Sequence, residues 1–348
     1  MNNIFKISKD NMSLIKNEDI LNYDYVPKLL PYREGQIQEI ANSIKPMLNG
    51  LKGNNLFIYG APGIGKTASI KWVLRELEDV TDEIIPLYVN CWNLKTKYFI
   101  FSEMAKQLKL VFTQGKSAEH ILQIIENKLK DKNSVFVFDE VDKAENSDFL
   151  YQIVSLFPKS SILLVSNAFD YVAKMDSRIR SRLMVRNLEF KPYNQNEILG
   201  ILNERVKLAI KSGVIPLDLI KRIAFEVYNR NGDLRIGLFI IRELVKSAEE
   251  EGLEKVKVED LDLILEEIKG SIIEEGQLNS EEERIVESVK EKNGGISGEI
   301  YEIYKSKGGK LSYRSFKRYI DNLERLNILR TEETRAGFKG KSTFIFIN

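Results

Sequence analysis

Leu56-Phe57-Ile58-Tyr59-Gly60-Ala61-Pro62-Gly63-Ile64-Gly65-Lys66-Thr67 joins a short apolar, β-prone run to a glycine-rich turn, and a helical pattern continues from Lys66 to about Glu78. A turn of this kind aims backbone N–H groups and a helix N-terminus at one point, which suits a polyphosphate. Gly60, Gly63 and Gly65 permit a backbone approach that side chains would block. Lys66 can reach the β- and γ-phosphates of a nucleotide, and the Thr67 hydroxyl can ligate Mg²⁺. A chance match in a surface turn would not need the flanking strand and helix.

Ser134-Val135-Phe136-Val137-Phe138 is a second continuous apolar run, as expected of a strand buried on both faces of a parallel sheet. It ends in Asp139-Glu140. Beside a phosphate loop, Asp139 would hold Mg²⁺ through water and Glu140 would polarise an attacking water. An acidic loop that merely follows a strand is the bland alternative. The two motifs together, in this order, favour nucleoside triphosphate hydrolysis.

The 348 residues allow two or three domains, and 43% hydrophobic with 30% charged residues suits a globular protein. No apolar run reaches the roughly 18–20 residues needed to span a bilayer, and the N-terminus lacks the apolar core of a signal peptide. Cys91 and His120 each stand alone, which argues against disulfides, Cys- or His-based metal sites and Ser/His/Asp catalysis. The expected compartment is cytoplasmic, in association with the nucleoid. Net charge is +1, but its distribution is uneven. Lys305, Lys307, Lys310, Arg314, Lys317 and Arg318 come without an acidic residue among them, followed by Arg335, Lys339 and Lys341. That asymmetry points to a polyanion-binding C-terminal region, although a charge run can be a solvated face.

Strands alternate with helices through the first part of the chain. Residues 84–90, 134–138, 162–166 and 185–190 are expected as strands, with helices at about 97–111 and 117–130, which implies a parallel α/β sheet. From Pro192 the pattern is helical. Asn194 and Glu197 form a candidate capping box, Pro216 suits a helix start, and Leu234, Leu238, Ile241 and Val245 share a helix face. Lys269-Gly270-Ser271 to Gly276 has the composition of a hinge. The last seventy or so residues give three helices and two β-rich pieces joined through Gly337 and Gly340. Ser280 and Glu283 can cap the first helix, and Ser312 the third. Phe316, Ile320, Leu323 and Leu326 lie on one face of that third helix, with Arg314, Lys317 and Arg318 on another. This describes a winged helix whose third helix enters a major groove while the wing meets the flanking backbone; a winged helix used for protein contact is the alternative. The expected domains are 1–191, 192–270 and 271–348.

These residues resemble the archaeal origin-recognition ATPases, AAA+ initiators related to the eukaryotic origin-recognition complex and its helicase-loading partner. Tyr25-Val26-Pro27-Lys28-Leu29-Leu30-Pro31-Tyr32-Arg33-Glu34 is similar to the segment lining the family's adenine pocket, with Tyr32 where histidine is usual. Ser166-Asn167 resembles sensor 1, so Asn167 would orient the water beside Glu140. Asp176-Ser177-Arg178-Ile179-Arg180-Ser181-Arg182-Leu183 resembles the arginine-finger region. Arg182 is the first choice for the finger and Arg178 the second, with a local ion pair to Asp176 as the alternative role. Phe190-Lys191-Pro192-Tyr193 resembles the entry to the lid. Gly232-Asp233-Leu234-Arg235 resembles sensor 2, which would bring Arg235 to the γ-phosphate. Gly298-Glu299-Ile300-Tyr301 and Leu311-Ser312-Tyr313-Arg314 echo motifs of the winged helix.

The resemblance runs from about residue 20 to the C-terminus. It implies an AAA+ base with a parallel sheet, an α-helical lid and a winged helix. ATP or ADP with Mg²⁺ would be held by Tyr25, Val26, Pro27, Arg33, Gly60, Ala61, Pro62, Gly63, Ile64, Gly65, Lys66, Thr67, Ala68, Asp139, Tyr193 and Arg235. Thr67 and Asp139 would serve the metal, and Glu140, Asn167, Arg178, Arg182 and Arg235 the hydrolysis. Lys310, Arg314, Lys317, Arg318, Arg335, Lys339 and Lys341 would meet double-stranded DNA. Implied partners are a replication origin, a replicative helicase and a second initiator or another copy of the chain, with no membrane. Leu110 to Ala118, where relatives carry a DNA-contacting helical insertion, matches poorly and receives no assignment. A RuvB-like DNA motor and a non-hydrolysing DNA-binding regulator are the other readings of the same domains.

Overall fold

The computed structural model describes residues 13–110, 115–130, 132–275, 280–292, 294–325, 328–333 and 343–347, without the side chains of 267, 269–275, 280, 322, 325 and 333. They form two compact units, divided between Asp260 and Leu261.

In the first unit, α1 (Glu34–Ile44) precedes β1 (Leu56–Tyr59), and α2 (Lys66–Val80) follows the glycine-rich turn. Next come β2 (Ile84–Asn90), α3 (Lys97–Gln107), α4 (Ala118–Leu129) and β3 (Asn133–Asp139). Then α5 (Asp148–Leu156), β4 (Ser160–Ser166), α6 (Tyr171–Lys174), α7 (Ser177–Leu183) and β5 (Arg186–Glu189) complete the base. All strand pairs are parallel, in the order β2-β3-β4-β1-β5. Successive side chains alternate between faces. Phe57, Phe136, Phe138, Ile162 and Leu164 therefore join the core formed with α3, α4, α5 and α7. Ile58, Val135, Val137, Leu163 and Val165, equally buried, point the other way. Burial on both faces is why these strands are apolar runs without alternation. β2 lies at an edge of the sheet, and there Gln107 stands in for a neighbouring strand, accepting from Tyr88 N at 3.0 Å and donating to Tyr88 O at 2.6 Å.

The strand order sets the site. β4 lies between β1 and β3, with Tyr59 level with Ser166 and Phe138 level with Leu164. The phosphate loop, Asn167 and Asp139-Glu140 thus leave adjacent strands at the same sheet edge, where open α/β sheets place ligands.

The lid comprises α8 (Gln195–Ala209), α9 (Leu217–Asn229) and α10 (Leu234–Glu250), packed through Ile198, Leu202, Ile223, Val227, Ile241 and Val245. Asn194 and Glu197 form the expected reciprocal capping box. Residues 13–22 dock on this lid: Ile15 bridges Ile210, Lys211 N donates to Leu14 O, and Leu14 N donates to Glu249. The chain then runs to the base, where Trp72 Nε1 donates to Lys28 O at 2.9 Å.

Helix α11 (Asp260–Glu275) occupies most of the stretch expected as a hinge. Ile264, Leu265 and Ile268 are buried at helical spacing, and an apolar stripe outweighs the roughly 1 kcal/mol cost of Gly270. Gly276 lies outside the described residues.

The second unit contains α12 (Ser280–Lys292), β6 (Gly295–Ile296), α13 (Ser297–Ser306), α14 (Tyr313–Arg325), β7 (Leu329–Glu333) and β8 (Thr343–Ile347). Its antiparallel sheet has the order β6-β8-β7, which adds a two-residue strand to the expected hairpin. Ile285, Val289, Ile300, Tyr304, Phe316, Leu323 and Ile345 make its core. This is a winged helix. The Ser280 side chain, Leu326 and the hairpin tip with Gly337 and Gly340 lie outside what the structure describes.

Candidate nucleotide site

A cavity of about 840 Å³ lies between the phosphate loop, the N-terminal segment and the lid. Pro62, Gly63, Gly65, Lys66, Thr67 and Ala68 line its floor, with Asp139, Glu140 and Asn167 at the sheet edge. Tyr25, Pro27, Tyr193, Arg205, Arg235 and Leu238 contribute to its walls.

Lys66 Nζ donates to Gly60 O and Ala61 O at 2.7 Å and to Asn167 Oδ1 at 2.8 Å. Burial pushes its ammonium down to about 8, against partial rescue by Glu140 and Asp139. Asn167 Nδ2 donates to both Glu140 oxygens, at 3.2 and 2.9 Å, so Lys66, Asn167 and Glu140 form one line. Desolvation, then the Asp139 and Asp142 charges, hold the Glu140 carboxyl above the ordinary carboxylate range. That shift suits a group that takes a proton from water. Glu140 sits at φ +52°, a left-handed conformation that is strained for a side chain and turns the carboxylate off the strand end.

Thr67 Oγ1 donates to Asp139 Oδ2 at 2.6 Å, and Tyr88 OH donates to the same oxygen at 2.6 Å. Among the described residues, no cluster of three or more His, Cys, Asp or Glu side chains could hold a metal alone. One hydroxyl and one carboxylate fit Mg²⁺, which characteristically takes few protein ligands and completes its shell with water and phosphate.

Five of the expected nucleotide contacts do not line the cavity. Arg33 belongs under the loop and not to the cavity wall. It is 4% exposed, donates to Ile64 O through Nε (3.1 Å) and Nη2 (3.0 Å) and to Lys191 O at 2.8 Å, and lies 3.7 Å from the Tyr193 ring centroid. Gly60, Ala61 and Ile64 likewise act from beneath: two carbonyls bind Lys66, and the Ile64 side chain is fully buried. Val26 does not line the cavity.

Arg178 and Arg182 lie on α7, away from this cavity. Arg178 is held by Asp176 through Nε at 3.1 Å and Nη2 at 3.0 Å, the local pairing that was its alternative role. Arg182 donates to Ser155 Oγ at 2.8 Å and lies over Tyr151 at 4.6 Å. Arg235 reaches the cavity from the first turn of α10, paired with Asp233.

Sequence reasoning missed Tyr88 and Arg205. The β2–β3 register places Asn90 level with Asp139, and so Tyr88 beside it; no sequence motif marks that register. Arg205 crosses from α8 to donate to Ile20 O at 2.8 Å and lies over the Tyr25 ring at 4.8 Å, fixing the cavity wall. A basic residue within an otherwise buried helix face was the available signal.

In the winged helix, Lys310, Arg314, Lys317 and Arg318 are exposed. Among the described residues, no carboxylate pairs with Arg314, Lys317 or Arg318, while Phe316 and Ile320 of the same helix are buried. Arg335, Lys339 and Lys341 lie outside the described residues. No helix among the described residues is long and apolar enough to cross a membrane.

Phosphate loop, acidic strand end, sensor asparagine and helical lid define an AAA+ nucleotide-binding protein. Residues 51–166 match the family model described as an AAA domain, and residues 199–262 that of the Cdc6 AAA+ ATPase-type lid domain. The ORC1-type DNA replication protein 1 of Sulfurisphaera tokodaii is 31% identical over 94% of this chain and 89% of its own length. Its namesake from Methanothermobacter thermautotrophicus is 30% identical over 99% and 96%. Among solved structures, the Aeropyrum pernix ORC1 protein in complex with DNA superposes with a TM-score of 0.77 at 28% identity, covering 97% of this chain and 94% of that one. The chain belongs to the ORC1-type DNA replication protein family.

Proposed function

We propose that this chain is an ATP-dependent, DNA-binding replication initiator that recognises origin DNA through its winged helix and helps recruit or load the replicative helicase. The observation that carries this reading is the hydrogen-bonded line Lys66–Asn167–Glu140. It shares a cavity with the lid arginine, in a chain that aligns almost end to end with ORC1-type replication proteins. Lys66 and the loop N–H groups bind the phosphates. Mg²⁺, held by Thr67 and through water by Asp139, would neutralise phosphate charge. Glu140, oriented by Asn167, accepts the proton of the attacking water. Arg235 couples the terminal phosphate to the lid, so that bound nucleotide sets the lid position. Arg182, bound to no carboxylate among the described residues, would complete the site of a neighbouring copy or a related initiator. The Cdc6-type lid match favours this reading over a branch-migration motor, and an intact Glu140–Asn167 pair favours it over a non-hydrolysing regulator.

Two measurements on the full chain test it. Glu140→Gln should bind ATP but not turn it over, since Glu140 serves only the water; equal hydrolysis in wild type and variant refutes the assignment. Reversing the charges of Arg314, Lys317 and Arg318 should weaken duplex binding and flatten its salt dependence, by about 0.9 in log–log slope for each phosphate no longer neutralised. Unchanged DNA binding would remove α14 as the reader.

A further inference from the structure

Asp233 occupies an unusual place between the lid and the phosphate loop. It is the N-cap of α10, and its Oδ1 accepts from Arg235 N at 3.0 Å and Arg235 Nε at 2.9 Å. Its Oδ2 accepts from Nε at 3.2 Å and Nη2 at 2.5 Å. The same carboxylate rests on the phosphate loop. A Cβ on Gly63 would stand 1.8 Å from Asp233 Oδ1, and Leu234 N donates to Gly63 O at 3.3 Å. Gly63 has φ +70°, so the loop's glycine serves the lid as well as the turn. One carboxylate thus binds the arginine that lines the cavity and abuts the loop that would cradle phosphate.

We propose that Asp233 is a positioning residue that competes with the terminal phosphate for Arg235 and so sets the preference of the site between ATP and ADP. This rests on the reading that Arg235 meets the terminal phosphate. Arg235 must leave a bidentate carboxylate before it can bind a γ-phosphate, whereas ADP, which lacks that phosphate, leaves the pair intact. An incoming polyphosphate also brings negative charge against Asp233 across Gly63, so the phosphate that attracts Arg235 repels its partner. The pair is half-exposed on the arginine side, which makes it weak enough to exchange. Asp233 therefore taxes ATP binding selectively and ties release of the arginine to the presence of the third phosphate.

Affinities for ADP and for a non-hydrolysable β,γ-imido analogue of ATP, measured with Mg²⁺ on the full chain, test this. Asp233→Asn keeps an N-cap oxygen while removing the charge. It should raise affinity for the analogue relative to ADP by about two- to fivefold, the range an ion pair of this exposure supports. In an Arg235→Ala background the gain should vanish. Should Asp233→Asn lose ADP binding through misfolding, Asp233→Ser, also a capping residue, is measured in its place with the same expectation. Equal change for both nucleotides, or a gain that survives Arg235→Ala, overturns the proposal. If the wild type binds the analogue in an Arg235-dependent way and the ratio does not move, this inference alone falls. If the wild type binds neither nucleotide, the nucleotide reading falls with it.

Discussion

Raising the pH should weaken nucleotide binding through Lys66, by an amount the site sets. Burial lowers its ammonium from 10.5 to about 8, a cost to the charged form of roughly 3 kcal/mol. Below pH 8 the lysine is charged in both folded and unfolded chain, and the empty fold bears this cost in full. Between about 8 and 10.5 the folded lysine is neutral while the unfolded one is charged, so the nucleotide-free protein gains stability as pH rises through this window. Bound phosphate supplies the missing counter-charge and restores the ammonium, so binding above pH 8 takes up a proton. Titration calorimetry in two buffers of different ionisation enthalpy should therefore find little proton uptake per Mg·ADP well below about pH 8 and uptake approaching one proton well above it. Affinity should approach a tenfold loss per pH unit above about 8. A wild-type affinity that stays flat from about pH 7.5 to 9.5 refutes the reasoning, as does proton uptake that persists in Lys66→Met.

Two further outcomes follow from the packing. Arg33→Ala should destabilise the first unit by about 3 kcal/mol and abolish nucleotide-dependent protection in thermal melting, because it removes the donors that Ile64 O and Lys191 O meet under the loop. Arg33→Lys should not restore it, since a lysine cannot reproduce the forked contacts or lie flat on Tyr193; full rescue would show that charge alone matters. Phe316→Ala, at a fully buried position, should cost the winged helix about 3–5 kcal/mol in denaturant unfolding. A cost under about 1 kcal/mol would mean that the core around Tyr301 and Tyr304 collapses to fill the space.

The sequence by itself determined the sheet strands, the phosphate loop, the acidic strand end, the lid capping box and the apolar face of α14. Each is local: a parallel strand buried on both faces must be a continuous apolar run, and a phosphate turn needs its glycines in place. Within the site, Lys66, Thr67, Asp139 and Glu140 were legible because a turn and a strand end mark them, whereas Asn167 was legible only through the family resemblance. Only the tertiary structure decided which partners they meet. That β4 lies between β1 and β3, putting Asn167 between Lys66 and Glu140, is a matter of strand order, which no single strand encodes. Tyr88 reaches Asp139 through the β2–β3 register, and Arg33 turns from the cavity to the underside of the loop because two carbonyls there accept its guanidinium. The stretch around Gly270 looked like a hinge because composition registers a glycine and not the buried Ile264, Leu265 and Ile268 that precede it. Motifs name the groups that do chemistry; packing and long-range hydrogen bonds decide which of them face the cavity, and those depend on residues far apart in the chain.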